Sequence, residues 1–357
     1  MTRLRKVLTS TGWLGLIVAV LVASLPYWFI QTQFLLSVCT VALIFMTASI
    51  GWNIISGFGG QISFGHSIFF GLGAYTAALF QNRLNGNAWV GVLLGMVVAA
   101  VVAVLLGLLT LRLRGIFFAL ATFALTLTFA ILATHFQSFT GGAVGVTLPI
   151  LGNDPAQFSF DNKLGYYYIA LIFAAASFIV AWLILRSRFG LQLRAIRADQ
   201  DAAKACGVLA TRVKLIALAL SAVVTGLAGG IYLEYIRFID PNSAFGANLA
   251  TQIAVIAFVG GSGYLWGPVI GAAILVPLQQ ILNSGLSTFP AGFNLVVYAV
   301  VVLAILWFEP RGLLALRRRF SSRKRRAKGD SPDAESSATD DTSPGSDNGL
   351  TTSGVDR

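Results

Sequence analysis

Apolar runs close to twenty residues long recur along this chain, and nothing constrains its fold more. The hydrocarbon core of a bilayer is about 30 Å thick and a helix rises about 1.5 Å per residue, so roughly 20 apolar residues cross it. Such stretches cover 12–30, 34–56, 63–81, 88–111, 115–137, 165–185, 214–236, 249–267, 268–283 and 292–309, about ten spans. Inside lipid every backbone N–H and C=O must be paired within its own segment, so runs of this kind are helices. With 56% hydrophobic and 11% charged residues and a mean hydropathy of +0.78, two soluble domains are excluded. The expected fold class is an all-α integral membrane protein. The pair meeting at Gly267-Pro268 includes the shortest run, for which a re-entrant segment is the alternative. The first run follows Arg3, Arg5 and Lys6, as a signal peptide would. Without a small-x-small cleavage site after it, it reads as an anchored first helix.

Charge sets the orientation. With ten spans and a cytoplasmic N-terminus, 22 of the 25 Lys and Arg residues fall on the inner side, leaving only Arg83, Lys163 and Arg237 outside. That bias predicts an N-in/C-in topology. The net charge of +11 is then mostly topological and gives no support to a nucleic-acid partner. Cys39 and Cys206 stand alone, which predicts neither a disulfide framework nor a metal site. A permease domain over 1–320 is followed by a basic run at Arg317–Lys328 and a Ser/Thr/Asp-rich stretch. Residues 321–357 lack apolar periodicity and are expected to be a disordered cytoplasmic tail whose basic run meets anionic membrane lipid.

Polar residues between spans are concentrated in three places. The inner loop 186–214 carries five arginines, two lysines and two aspartates, and its middle, Leu193 to Cys206, has neither Gly nor Pro. A basic helical loop longer than a span connection needs is suited to presenting a surface to a cytoplasmic partner; a helix lying on anionic lipid is the alternative. The segment 57–66 holds four glycines with Gln61, Ser63 and His66. It reads either as a broken helix lining a solute path, where Gly60, Gln61, Ser63, Gly65 and His66 would form the border, or as a cytoplasmic turn. A second glycine cluster at 259–271 is open to the same two readings, and the outer segment 138–165 is a landing surface for an extracellular partner or a plain connector. Glu234 is the sole acid near the interior of a span, with Arg237 three residues on. A proton-coupled secondary carrier would bury several acids or histidines, and a membrane enzyme would cluster His, Asp or Cys at one face; neither pattern occurs. There is no phosphate loop, nucleophile elbow or HExxH, so no cofactor is expected and ATP chemistry, if any, belongs to another chain.

Lined up in order, these pieces resemble the permease subunits of branched-chain amino acid ABC importers, the LivM-like family. The carriers are GFGGQISFGHSIFFGLGAY at 57–75, LRLRGIFFALATFA at 111–124, TGGAVGV at 140–146, RSRFGLQLRAIRADQDAAKACGV at 186–208, GGSGYLWGPVIGA at 260–272 and FEPRGL at 308–313. The resemblance implies an ABC importer permease fold in the inner (plasma) membrane. It also implies a second permease subunit, two cytoplasmic ATP-binding subunits and an extracytoplasmic solute-binding protein. The stretch Asp201-Ala-Ala-Lys-Ala-Cys-Gly207 looks like the coupling-helix motif. On that likeness Ala202 and Ala203 would face the ATPase, Gly207 would permit a tight exit, and Arg194 and Arg197 would meet acids on the partner. One departure is Leu127, where many members carry an acid, which leaves urea, short amides or aromatic acids open as solutes beside branched-chain amino acids.

Overall fold

The computed structural model describes residues 33–149, 152, 154–285, 290 and 292–308. The first predicted span, the basic run and the tail lie outside the described residues. Within them the chain is a helical bundle. Helix α1 (Gln33–Trp52) runs on into a π-helical turn, Asn53–Phe58. It is followed by α2 (His66–Leu84), α3 (Ala88–Thr110), α4 (Ile116–His135) and the single turn α5 (Gln137–Thr140). Next come α6 (Lys163–Arg186), α7 (Arg188–Ala198), α8 (Gln200–Ala205) and α9 (Ala210–Ile236). The chain continues through α10 (Pro241–Phe245), α11 (Ala247–Gly260), α12 (Gly267–Gly285) and α13 (Phe293–Phe308).

Among the described residues, seven helices are long and apolar enough to cross a membrane: 33–58, 88–110, 116–135, 163–186, 210–236, 241–260 and 267–285. The predicted spans at 63–81 and 292–309 are also helices. The first is α2, which begins three residues late, at His66, and the second is the shorter apolar α13. The run predicted over 249–267 breaks at Gly261, so 261–266 is loop rather than helix and α12 starts afresh.

The architecture follows from where small residues fall. Helix α9 packs on α1, α2 and α3. On α3 the buried positions Gly91, Gly95, Ala99, Ala103 and Gly107 recur every fourth residue, while Leu93, Val97, Val101, Leu105 and Leu108 point outward. Lipid is as apolar as leucine, so helices associate in membranes through close backbone approach on small residues, with bulky side chains left for lipid. Gly73 of α2 shows how close: a Cβ there would overlap the carbonyl oxygen of Gly226 on α9. Two thirds of α1 and α9 is buried, against 28% for α3, α4 and α6. That contrast puts α1 and α9 at the centre and the other three at the periphery.

The connections sort by end. Arg112, Arg114, the loop 187–209 and the break 261–266 share one, strongly basic end. At the opposite end the described part of the outer segment is packed on the bundle. Its strand β1 (Val146–Thr147) pairs antiparallel with β2 (Phe238–Ile239), and Phe158 is fully buried against Trp89.

Candidate functional site

The residues singled out between the first two described spans form an ordered break. The π turn widens α1 by one residue per turn, and the helix ends with Gly59 and then Gly60, whose φ of +71° is a left-handed conformation. Glycine adopts it without steric cost, which is why helices commonly terminate there. The Gln61 N–H then closes back on Ile55 O at 3.4 Å, and the chain runs through 60–65 before α2 begins. Side chains alternate: Gly60 and Ile62 are exposed, whereas Gln61, Ser63 and Gly65 are buried.

Most of the buried polar groups of the break are paired within the chain. Trp52 Nε1 donates to Ser63 O at 2.7 Å, Ser63 N to Ser56 Oγ at 3.2 Å, and Gly65 N to Ser63 Oγ at 3.2 Å. His66 Nε2 lies 2.6 Å from Ser221 Oγ, and Ser221 Oγ donates to Gly51 O at 2.7 Å. A hydroxyl has one proton, so donating it to Gly51 leaves Ser221 an acceptor and fixes the histidine proton on Nε2. Ser63 and His66 therefore hold the break to α1 and α9. Gln61 Oε1 and His66 Nδ1 are both buried without a hydrogen-bond partner. The cavity beside Ser63 and Gly65, closed by Leu106, Leu125 and Leu218, is about 10 Å³, room for about one water.

Two residues that the sequence reading passed over complete the break. Thr122 Oγ1 accepts from Phe64 N at 3.1 Å, and Thr126 Oγ1 donates to Phe64 O at 2.8 Å. One turn apart on α4, they replace for residue 64 the backbone pairing that a continuous helix would have supplied. Leu127, where the departure from the family was noted, sits on the exposed side of the same helix.

The second glycine cluster meets the first. Asn53, in the π turn, donates through Nδ2 to Tyr264 O at 3.0 Å and accepts through Oδ1 from Gly263 N at 2.9 Å. The two breaks, more than 200 residues apart in sequence, are thus one polar junction at the basic end.

Onto that junction packs the inner loop, folded as α7 and α8 rather than one helix. Asp199 separates them and caps α8, accepting from Asp201 N at 2.8 Å and Ala202 N at 3.0 Å. These N–H groups, Ala202 foremost, hold the Asp199 carboxyl below its ordinary range. Gly207 ends α8 at φ +84°, with its N–H on Lys204 O (2.9 Å) and Val208 N on Ala203 O (3.0 Å). That pairing is a Schellman motif. Leu193, Ile196 and Ala203 are buried in the same cluster as Ile54, Ile55 and Phe58. Asp201, Ala202, Lys204, Ala205 and Cys206 remain exposed.

Ala203 departs from the outward-facing expectation, while Arg194, Arg197 and Asp201 are exposed and also bond within the chain. Ala203 points into its own chain. Arg194 Nη2 donates to Leu185 O at 3.0 Å, and Arg197 Nη1 donates to Gly57 O. Both cations thereby cap carbonyls near helix C-termini, where the helix dipole favours positive charge. Asp201 reaches Arg114 of the 111–115 turn at 3.0 Å, an exposed pair. At the opposite end Glu234 is fully buried and pairs with Arg237 at 3.4 Å, as their spacing suggested, and also accepts from Gln81. Among the described residues no three His, Cys, Asp or Glu side chains converge as metal ligands.

A lipid-facing helical bundle with two joined helix breaks under a folded basic loop defines a polytopic membrane permease. The chain belongs to the family described as branched-chain amino acid transport system, permease component, whose model matches residues 34–306. It is similar to the high-affinity branched-chain amino acid transport system permease protein LivM of Salmonella typhimurium strain LT2. The two are 27% identical over 324 residues, covering 85% of this chain and 75% of the relative. LivM of Escherichia coli K12 matches to the same extent. The autoinducer 2 import system permease protein LsrC of Escherichia coli K12 / DH10B is 28% identical over 172 residues, 47% of this chain and 50% of that one. No solved structure matches the chain. The protein is accordingly the permease component of an ABC transport system, a multi-pass protein of the inner membrane that works in a complex with other subunits.

Proposed function

We propose that this chain forms part of the import pathway for branched-chain or similar amino acids, driven by two ATP-binding subunits docked under α8. It pairs with a second permease subunit and receives its solute from an extracytoplasmic binding protein. The observation that carries the reading is the exposed surface of α8. Asp201, Ala202, Ala205 and Gly207 face outward at the basic end, on an element packed against α7, whose Leu193 and Arg197 lie against the helix breaks. A small-residue helix of this kind fits a cleft on a partner, and its inner face gives partner movement a route into the bundle. Gln61 supports a solute role for the first break, since a buried amide oxygen without a protein partner is available to a polar solute. Gly60, Ser63, Gly65 and His66 serve that role by shaping the backbone. The similarity to LivM supports branched-chain amino acids as the solute class, and Leu127 in place of an acid supports testing neutral amides and aromatic acids beside them.

Uptake assays test this directly. Cells lacking the chain should lose ATP-dependent uptake of leucine, isoleucine or valine and regain it from the wild-type chain. Neither Gln61→Leu nor Ala202→Arg should restore it, although both should insert at normal levels. Undiminished uptake of these amino acids in the deleted cells would contradict the solute assignment. Loss of urea, amide or aromatic-acid uptake instead would move it to that class.

A further inference from the structure

We infer that Arg197 is a positioning residue that transmits movement of the inner loop to both helix breaks, rather than a contact to the partner ATPase. This rests on the docking of α8 proposed above. Arg197 sits on the last turn of α7, one residue beyond the buried Ile196. Its Nη1 donates to the carbonyl of Gly57, the last turn of the π segment. The same nitrogen fills the space beside Gly263, where a Cβ would overlap it, and the aliphatic stem lies over Gly60, where a Cβ would come within 2.8 Å of Arg197 Cγ. One side chain therefore touches the end of α1, the left-handed glycine that starts the 60–65 segment, and the glycine loop between α11 and α12. Asn53 ties the last of these, the loop between α11 and α12, to the π turn.

The chemistry suits a strut. The guanidinium stays charged and planar and keeps several donors in a fixed fork, so it grips a carbonyl at a helix C-terminus without needing an acid partner. The glycines it lies on lack the side chains that would hold it off. Loop movement at Arg197 therefore bears directly on Gly57, Gly60 and Gly263, glycines of the two breaks. Leu193, within 3.3 Å of where a Cβ of Gly59 would sit, adds an apolar contact on the same line.

The test uses the full chain in lipid nanodiscs and, separately, its assembled transporter. Arg197→Met keeps the stem and removes the fork. Backbone amide exchange over 53–66 and 261–266 should rise at least tenfold, with 210–236 unchanged. In the assembled transporter the same variant should hydrolyse ATP within about twofold of wild type while solute uptake falls at least tenfold. Arg197→Lys, which keeps one donor for Gly57, should recover part of the uptake. Unchanged exchange in both segments would overturn the assignment, as would wild-type uptake by Arg197→Met or a proportional fall of uptake and hydrolysis. The exchange measurement needs no ATPase, so it judges the strut even if α8 proves to dock nothing.

Discussion

At the scale of single residues, the break in the first span is held by groups with few alternatives. Thr126 shows this most clearly. Its hydroxyl donates to Phe64 O, a carbonyl that no helix ladder serves, and Ser67 Oγ approaches it at 3.5 Å. Replacing it by valine keeps the shape and leaves that carbonyl unpaired, at a cost of about 1–3 kcal/mol. Thr126→Val should therefore lower the thermal unfolding midpoint of the purified chain, while Thr126→Ser should stay near wild type. Equal midpoints for valine and threonine would show that Phe64 O is satisfied in another way. The sequence did not reveal this role, because threonine in an apolar helix usually bonds to its own preceding turn, as Thr128 and Thr134 do here. Gln61, Ser63 and His66 were legible as polar groups that lipid would not tolerate. Which of them spends its side chain on structure was not, since that depends on Ser221 and Ser56 arriving from elsewhere.

At the scale of elements, most spans were readable because length and apolarity are the two things a bilayer demands. The stripe of Gly and Ala along α3 was also written in the chain, at every fourth position. The π turn was not, as nothing in its residue types separates five-residue from four-residue pairing. The loop 186–214 was recognisable as helical and basic, yet its division at Asp199 was obscured by the absence of Gly and Pro. The direction of Ala203 could not be read either: alanines at 202, 203 and 205 surround a six-residue helix and give periodicity no preferred face. Gly207 is the element's fixed point. A valine there must adopt a left-handed conformation in a β-branched residue, costing about 1–2 kcal/mol, and it would break the Schellman closure onto Ala203 and Lys204. Gly207→Val should leave insertion intact and shorten α8, seen as faster amide exchange over 200–206. Wild-type exchange there would mean that the exit does not depend on its glycine.

At the scale of the whole molecule, the basic end carries both helix breaks, the folded loop and the exposed face of α8. The opposite end carries the paired strands β1 and β2 and the buried Glu234–Arg237 pair. Such a division suits a subunit that takes its energy from one side of the membrane and its solute from the other. Family membership and the bundle establish a permease; what drives it turns on α8. Photo-crosslinking in transport-active membranes tests this most directly, with a photoreactive residue placed in turn at Ala202, Ala205 and, as a lipid-facing control, Leu105. The account predicts adducts to an ATP-binding subunit from 202 and 205 and none from 105. Transport-active membranes that yield no such adduct from either α8 position would contradict it.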